Sequence, residues 1–337
     1  MIAITGATGL LGAHLASALL MQGYEIKALR RKSSSLETLK KIASYYDNDV
    51  DNFLSRIYWH YGDVTDYLTV EDFLDHSDYL YHCAGVVSFE KSNRSLLRNV
   101  NVYGTTNVVN ACLQKNVSRM IHASSIAALG RAGLDGTVDE QSQWKNSKKN
   151  TAYSISKMLG EREVWRGHME GLSTAIVNPG IIIGPGSWEN GSGQLITKVW
   201  RGLKYYSSGV NGYVDVRDVA RVMILLMNSE IKGERFVLVS ENIDYKQLFE
   251  KIASVLDVPA PRVNATPLLA EIAWRMDMLR SFLSGKAPVI TRETARTAMS
   301  KHYYDGSKIS DYIDFQYHSL NETIEYTGNL FRKDFNY

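Results

Sequence analysis

The apolar and polar positions alternate in a regular way from the first residue. Met1 to Thr5 is a short apolar run of strand type, followed by glycines at 6, 9 and 12. Leu10 to Met21 then has helical periodicity, which Gly23 ends, and Tyr24 to Leu29 is a second strand-length run. The same pattern predicts a helix over Leu36 to Ser44 and further strands at Ile57 to Tyr61, Tyr79 to His82, Arg119 to Ala123, Leu172 to Val177 and Phe236 to Val239. Asn93 to Asn116 reads as one long helix, and a second runs from Thr151 to near Gly171. Asn178 to Gly186 holds a proline and several glycines after a buried strand, and reads as a turn. Strands separated by helical patterns predict an α/β chain with a doubly wound parallel sheet. From Ile243 onward the pattern is helical, which gives a smaller, mostly helical C-terminal part. Within it, apolar residues at 268, 269, 272, 276, 279 and 283 mark an amphipathic helix from Leu268 to Leu283. That helix would cap a pocket or, as the alternative, lie on a membrane surface.

Strand, glycine turn, helix, strand is the unit in which a pyrophosphate sits on a helix N-terminus. Gly6, Gly9 and Gly12 let backbone approach the phosphates, although their spacing is one residue longer in the first gap than the usual GxGxxG. A glycine-rich turn without a ligand is the plainer alternative; the flanking strand and helix favour the nucleotide. Arg30, Arg31 and Lys32 follow the second strand directly. An acidic residue there accepts ribose hydroxyls, whereas arginine accommodates a 2′-phosphate by bidentate pairing. These residues favour NADP(H) over NAD(H), the alternative being a solvated basic turn. Downstream, Tyr153 and Lys157 are four apart at the start of a predicted helix, and so share a face. A phenol ordinarily keeps its proton to about pH 10. A nearby ammonium favours the phenolate and would let Tyr153 act as a general acid or base. A YxxxK spacing alone arises often by chance; the glycine turn upstream gives it weight.

Composition narrows the classes. With 38 basic and 36 acidic residues among 337, there is no electrostatic case for nucleic acid. Length fits one large domain or two. Cys83 and Cys112 make no disulfide framework, so reduced thiols in the cytoplasm are expected. The N-terminus lacks a basic n-region and its apolar run is broken by glycines, so it does not read as a signal peptide. No uninterrupted run of 18 apolar residues occurs, so no membrane span is expected. No metal is expected either.

Taken together, T-G-A-T-G-L-L-G at Thr5 to Gly12 and Y-S-I-S-K at 153 to 157 resemble the extended short-chain dehydrogenase/reductase superfamily. The resemblance is dense over about the first 240 residues and thinner after. Within that branch the chain is similar to dihydroflavonol 4-reductase-type reductases of the NAD(P)-dependent epimerase/dehydratase family. The resemblance implies a Rossmann-like NAD(P)-binding domain over 1–177 and 213–240, with a substrate-binding region over 178–212 and 241–337. It places Gly6, Thr8, Gly9, Leu10, Leu11 and Gly12 around the cofactor phosphates. Asp63 and Val64 of Gly62-Asp63-Val64 would meet the adenine; Asp63 could equally cap the following helix. Cys83, Ala84 and Gly85 would lie against the cofactor ribose, with Cys83 a buried small residue rather than a nucleophile. Asn101, by composition simply a mid-helix polar contact, would support the lysine through water. Ser125, followed five residues on by Gly130, would be the catalytic serine. Pro179 and Ile182 would line the nicotinamide pocket, while Asn178 stands where many nucleotide-sugar enzymes of the branch carry arginine. His122 receives no role.

The implied activity is NADP-dependent reduction of a carbonyl, or the reverse oxidation, on a small-molecule carbonyl or alcohol substrate. Tyr153 would protonate the developing alkoxide, Ser125 would orient the carbonyl, and Lys157 would hold the nicotinamide ribose and lower the Tyr153 pKa. Pocket residues are expected from Val86 to Phe89, from the polar loop at 130 to 150, and from 186 to 213. A nucleotide-sugar epimerase with bound NAD is the alternative, opposed by Arg30, Arg31 and Asn178. A dehydratase needs an acidic pair where Ile126 and Ala127 stand. An NADP-binding regulator would lack the Tyr/Lys pair. The resemblance also implies a homodimer through the helices at 93–116 and 151–169.

Overall fold

The computed structural model describes residues 1–130, 136–147, 150–284 and 298–336. Parts of the predicted polar loop, including Asp135 and Lys149, lie outside the described residues, as do the side chains of Leu279 and Leu283.

Seven strands form the central sheet: β1 (Ile2–Thr5), β2 (Ile26–Arg30), β3 (Ile57–Tyr61), β4 (Tyr79–His82), β5 (Arg119–Ala123), β6 (Thr174–Pro179) and β7 (Glu234–Leu238). Their order is β7-β6-β5-β4-β1-β2-β3, and every neighbouring pair is parallel. Side-chain alternation splits the two faces. Ile4, Tyr81 and Ile121 point to one apolar cluster, shared with the helices Leu10–Met21 and Val216–Met227. Their neighbours Ala3, Leu80 and Met120 point to the other, shared with Tyr67–Phe73, Thr105–Gln114 and Ala152–Met169. This is the Rossmann-like, doubly wound arrangement expected. The chain leaves β1 toward β2 and β3, then resumes at β4 on the other side of β1. In such sheets ligands bind beyond the strand C-termini at this reversal, where Gly6, Cys83 and Ser124 follow β1, β4 and β5.

Three segments depart from the pattern read in the sequence. The helix expected over Asn93 to Asn116 is broken: Lys91–Asn93 is a 3-10 turn, Arg94–Arg98 is α-helical, Asn99–Gly104 is π-helical, and Thr105–Gln114 is α-helical again. Periodicity cannot see a one-residue expansion of this kind, which often sits at functional sites. The turn expected over Asn178 to Gly186 contains a strand, Ile181–Ile183, paired in parallel with Val210–Asp215. Ile243 opens no helix. It lies in the strand Glu241–Asp244, antiparallel to Val210–Asp215, and Asp244 caps the helix Tyr245–Leu256 by accepting from the Gln247 amide.

The C-terminal helices Gly193–Trp200, Tyr245–Leu256 and Leu320–Phe335 close a third apolar cluster, in which Trp188 and Trp200 meet the Phe331 ring edge to face. The amphipathic segment is a helix, Pro267–Ser284. Its Leu268, Leu269, Ile272 and Met276 stand exposed. No helix among the described residues is long and apolar enough to cross a membrane.

Candidate active site and cofactor cradle

The turn after β1 is held closed by close backbone approach. Gly6 has φ +77°, and a Cβ there would lie 2.6 Å from the Ala84 nitrogen. A Cβ on Gly12 would lie 2.2 Å from the Gly6 carbonyl oxygen. Only glycine fits either position. Gly9 is the N-cap of the helix Leu10–Met21 and offers no side chain, so the amide groups of the first turn are left for another acceptor. Thr8, Leu10 and Leu11 flank it half-buried. The Thr5 hydroxyl receives the Ala84 amide at 3.3 Å and pairs with His82 Nδ1 at 2.7 Å, which ties the ends of β1 and β4 together.

At the end of β2, the Arg30 guanidinium stacks 5.3 Å from the Trp59 ring and 5.2 Å from the Tyr61 ring. Its Nε is buried without a hydrogen-bond partner. Arg31 is exposed beside it. Asp63 does not cap the following helix. Its carboxylate accepts from the amide and hydroxyl of Thr65, both at 2.9 Å, while Asp66 makes the cap. Asp63 lies three residues before that N-cap, too early to reach the first helical amides. Val64 is buried against Gly104.

On the other side of the reversal, Cys83 is half-buried and burial pushes its thiol up to about 12, so it is no nucleophile near neutral pH. Asn101 sits in the π-helical stretch. Its amide group accepts from the Val86 nitrogen at 2.7 Å and donates to the Val86 oxygen at 2.9 Å, so it fixes the chain after Gly85. It also donates to the Ser156 hydroxyl at 3.0 Å. A Cβ on Gly85 would lie 3.4 Å from Asn101 Oδ1 and 3.9 Å from Lys157 Nζ, which puts Gly85, Asn101 and Lys157 at one point.

Ser125 follows β5, where its hydroxyl accepts from the Ala127 amide at 3.1 Å. Tyr153 and Lys157 come from the helix Ala152–Met169, whose N-cap Thr151 accepts from the Ser154 amide. The Ser125 hydroxyl favours the ionised Tyr153 phenol, and the Phe89 ring meets Tyr153 edge-on at 5.8 Å. Lys157 is 6% exposed and donates to the Ala123 carbonyl at 2.9 Å. Burial lowers its pKa to about 8, opposed by Glu161. One expectation is corrected here. Burial raises the Tyr153 pKa, with Ser125 opposing it. In this geometry the Lys157 ammonium is engaged by the Ala123 carbonyl.

Sequence reading missed Glu161, four residues beyond Lys157 on the same helix. It is 3% exposed, accepts from Ser124 at 2.6 Å and Asn178 at 2.7 Å, and pairs with Arg235 at 2.9 Å. The i, i+4 continuation of Tyr153 and Lys157 was the available signal. Pro179 is buried at the end of β6 and Ile182 is half-buried in the next strand. Among the described residues, neither makes a polar contact with Ser125, Tyr153 or Lys157. His122 lies in the core, stacked on His82.

The features of this chain suit a dinucleotide: a glycine cradle a Cβ would fill, an uncapped helix N-terminus, and an unpartnered buried guanidinium nitrogen at the end of β2. The sequence pattern of the NAD dependent epimerase/dehydratase family matches residues 2–238. A Synechocystis sp. protein named "Putative dihydroflavonol 4-reductase" is 30% identical over 333 residues, which cover 95% of this chain and 91% of that protein. Cinnamoyl-CoA reductase 1 of Petunia hybrida is 28% identical over 246 residues, covering 70% and 71% of the two chains. Among solved structures, the Thermus thermophilus UDP-glucose 4-epimerase complex with NAD superposes with a TM-score of 0.74 at 20% identity, over 98% of each chain. The chain belongs to the NAD dependent epimerase/dehydratase family, whose members are NAD(P)-dependent enzymes of the oxidoreductase or epimerase type.

Proposed function

We propose that the protein is an NADP-dependent reductase of a small-molecule carbonyl, of the dihydroflavonol 4-reductase-like kind, with Ser125, Tyr153 and Lys157 as its catalytic residues. The observation that carries this reading is the placement of Lys157, which lies one helical turn from Tyr153 and donates at 2.9 Å to the Ala123 carbonyl, two residues before Ser125 where β5 ends. The two reductase-named relatives support it.

Gly6, Thr8, Gly9, Leu10, Leu11 and Gly12 would hold the cofactor phosphates, and Arg30 and Arg31 the 2′-phosphate of NADP(H). Asp63 and Val64 would face the adenine, Cys83 to Gly85 the ribose, and Pro179 and Ile182 the nicotinamide side. When bound, the nicotinamide supplies or takes up a hydride.

The chain's own groups manage the proton and the oxygen. Tyr153, kept as a neutral phenol by burial, donates its proton to the carbonyl oxygen as negative charge builds there. Ser125 donates a hydrogen bond to the same oxygen and orients it. It is also placed to stabilise the phenolate that Tyr153 leaves. Lys157, charged below about pH 8, binds the ribose hydroxyls and supplies positive charge one helical turn from the phenol. Asn101 fixes the Val86 backbone at the site's edge. The Phe89 ring confines the approach to the phenol.

The test is NADPH oxidation measured against a panel of aldehydes, ketones and flavanonols. Turnover with net consumption of NADPH supports the reading. Interconversion of a nucleotide sugar with no net consumption of cofactor would replace it by the epimerase alternative.

A further inference from the structure

One buried charge is left unused by that mechanism. Glu161 sits one turn beyond Lys157, and two of the donors that reach it, Ser124 and Asn178, flank the Ser125 corner. Ser124 Oγ donates to Oε2 at 2.6 Å, and Asn178 Nδ2 to the same oxygen at 2.7 Å. Asn178 Nδ2 also donates to the Ser125 carbonyl at 3.0 Å, so the backbone of Ser125 is held from β6. Arg235 on β7 donates to Oε1 at 2.9 Å, and Trp165 Nε1 approaches it at 3.4 Å. Arg235 is itself held by the Glu140 carbonyl. A carboxylate so buried is retained only with its partners in place, because removing one leaves an uncompensated charge.

We propose that Glu161 is a positioning residue of the site: through Ser124 and Asn178 it fixes the corner that carries Ser125, and with Arg235 as counter-ion it sets the charge beside Lys157. The inference rests on the reading of Ser125, Tyr153 and Lys157 as the reacting set. The titratable groups around Lys157 are Tyr153 and Glu161 on its own helix, His82 and Cys83 at the end of β4, and His122 on β5. Burial keeps both imidazoles neutral and the thiol protonated. Glu161 is thus the carboxylate that favours the charged lysine, and Arg235 is the cation that offsets it.

The signs of two substitutions are therefore opposite. Glu161→Gln removes the negative charge and keeps the shape, so the Lys157 midpoint falls. Arg235→Gln leaves Glu161 uncompensated, so the midpoint rises. The measurement is trace acetylation of the whole protein with acetic anhydride across pH, with Lys157 quantified in its peptide by mass spectrometry. It needs no substrate and no turnover. Each shift is expected at about one pH unit, the double variant returning near the unmodified protein. The alkaline limb of the kcat profile should move in the same direction as each midpoint. Glu161→Asp should restore the Lys157 midpoint.

Coincident midpoints for the unmodified protein and both single variants would overturn the proposal, as would shifts of the same sign. If Glu161→Gln fails to fold, the rise in Arg235→Gln still decides it, and an unchanged midpoint there overturns it. Failure of the catalytic reading is separate: it shows as full turnover in Tyr153→Phe, whatever the Lys157 midpoints do.

Discussion

The imidazoles of His82 and His122 stack with ring centroids 5.0 Å apart at 29°, side by side on adjacent parallel strands. Both are fully enclosed, and burial holds the His82 pKa down to about 3 and that of His122 well below its ordinary value. His14, bonded to Tyr46 and the Pro185 carbonyl, is lowered to about 4 for the same reason.

These depressed values fix the sign of a stability change. Below about pH 6.5 the unfolded chain takes up protons that the folded chain refuses. The stability that the neutral imidazoles provide is present above that pH and is lost as pH falls toward 4 and then 3. Between pH 7 and 5 each such histidine should cost about 2 kcal/mol. His122→Leu should therefore flatten the dependence by about that amount. Urea unfolding of both proteins at the two pH values reads it, and equal slopes would contradict it.

Cofactor choice follows from Arg30 and Arg31. NADPH should bind at least about tenfold tighter than NADH, a difference of about 1.4 kcal/mol. Arg30→Asp with Arg31→Asn should reverse the order. Calorimetry showing tighter NADH binding by the unmodified protein would refute this.

Gly12→Ala brings a methyl group to within 2.2 Å of the Gly6 carbonyl. The turn must open to admit it. About 1–3 kcal/mol of stability should go, as for other overpacked positions, and NADPH affinity with it. A Gly12→Ala protein with unchanged melting temperature and cofactor affinity would show that the turn is not under this constraint.

The parallel sheet was legible because each strand is a short apolar run and each crossover a helical one, so period alone separates them. Its two-faced core was legible for the same reason, as Ala3 and Ile4 show. The π-helical stretch at Asn99–Gly104 was not, since apolar spacing is nearly unchanged by one extra residue. The strand Ile181–Ile183 was hidden by the flanking Pro179 and Gly184, which read as a turn and whose pairing partner lies far along the chain. Tyr153 and Lys157 stood out by spacing. Glu161 did not, because a glutamate in a helix reads as a solvated face until tertiary contacts bury it. The Asp63 side chain was open between two roles, and local geometry gave the cap to Asp66.

Assembly is testable from the same helices. Leu96 and Tyr103 are exposed on the first helical segment and Ile155 on the second. The prediction is a homodimer through these faces, split by Tyr103→Glu with Ile155→Glu. Light scattering at micromolar concentration should give twice the 37.9 kDa chain mass for the unmodified protein. A monomeric mass would count against it.

The central claim is that Tyr153 moves the proton, and it is tested most directly by steady-state carbonyl reduction in Tyr153→Phe, with NADPH affinity measured in parallel. The substitution keeps the ring that meets Phe89 and removes the phenol hydroxyl. Stability should fall by only about 1 kcal/mol, and NADPH binding should survive. Turnover should fall by a factor of about 10² or more, with Ser125→Ala milder and Lys157→Ala more severe and weaker in cofactor binding. Full turnover in Tyr153→Phe would contradict the account and assign the proton transfer to another group.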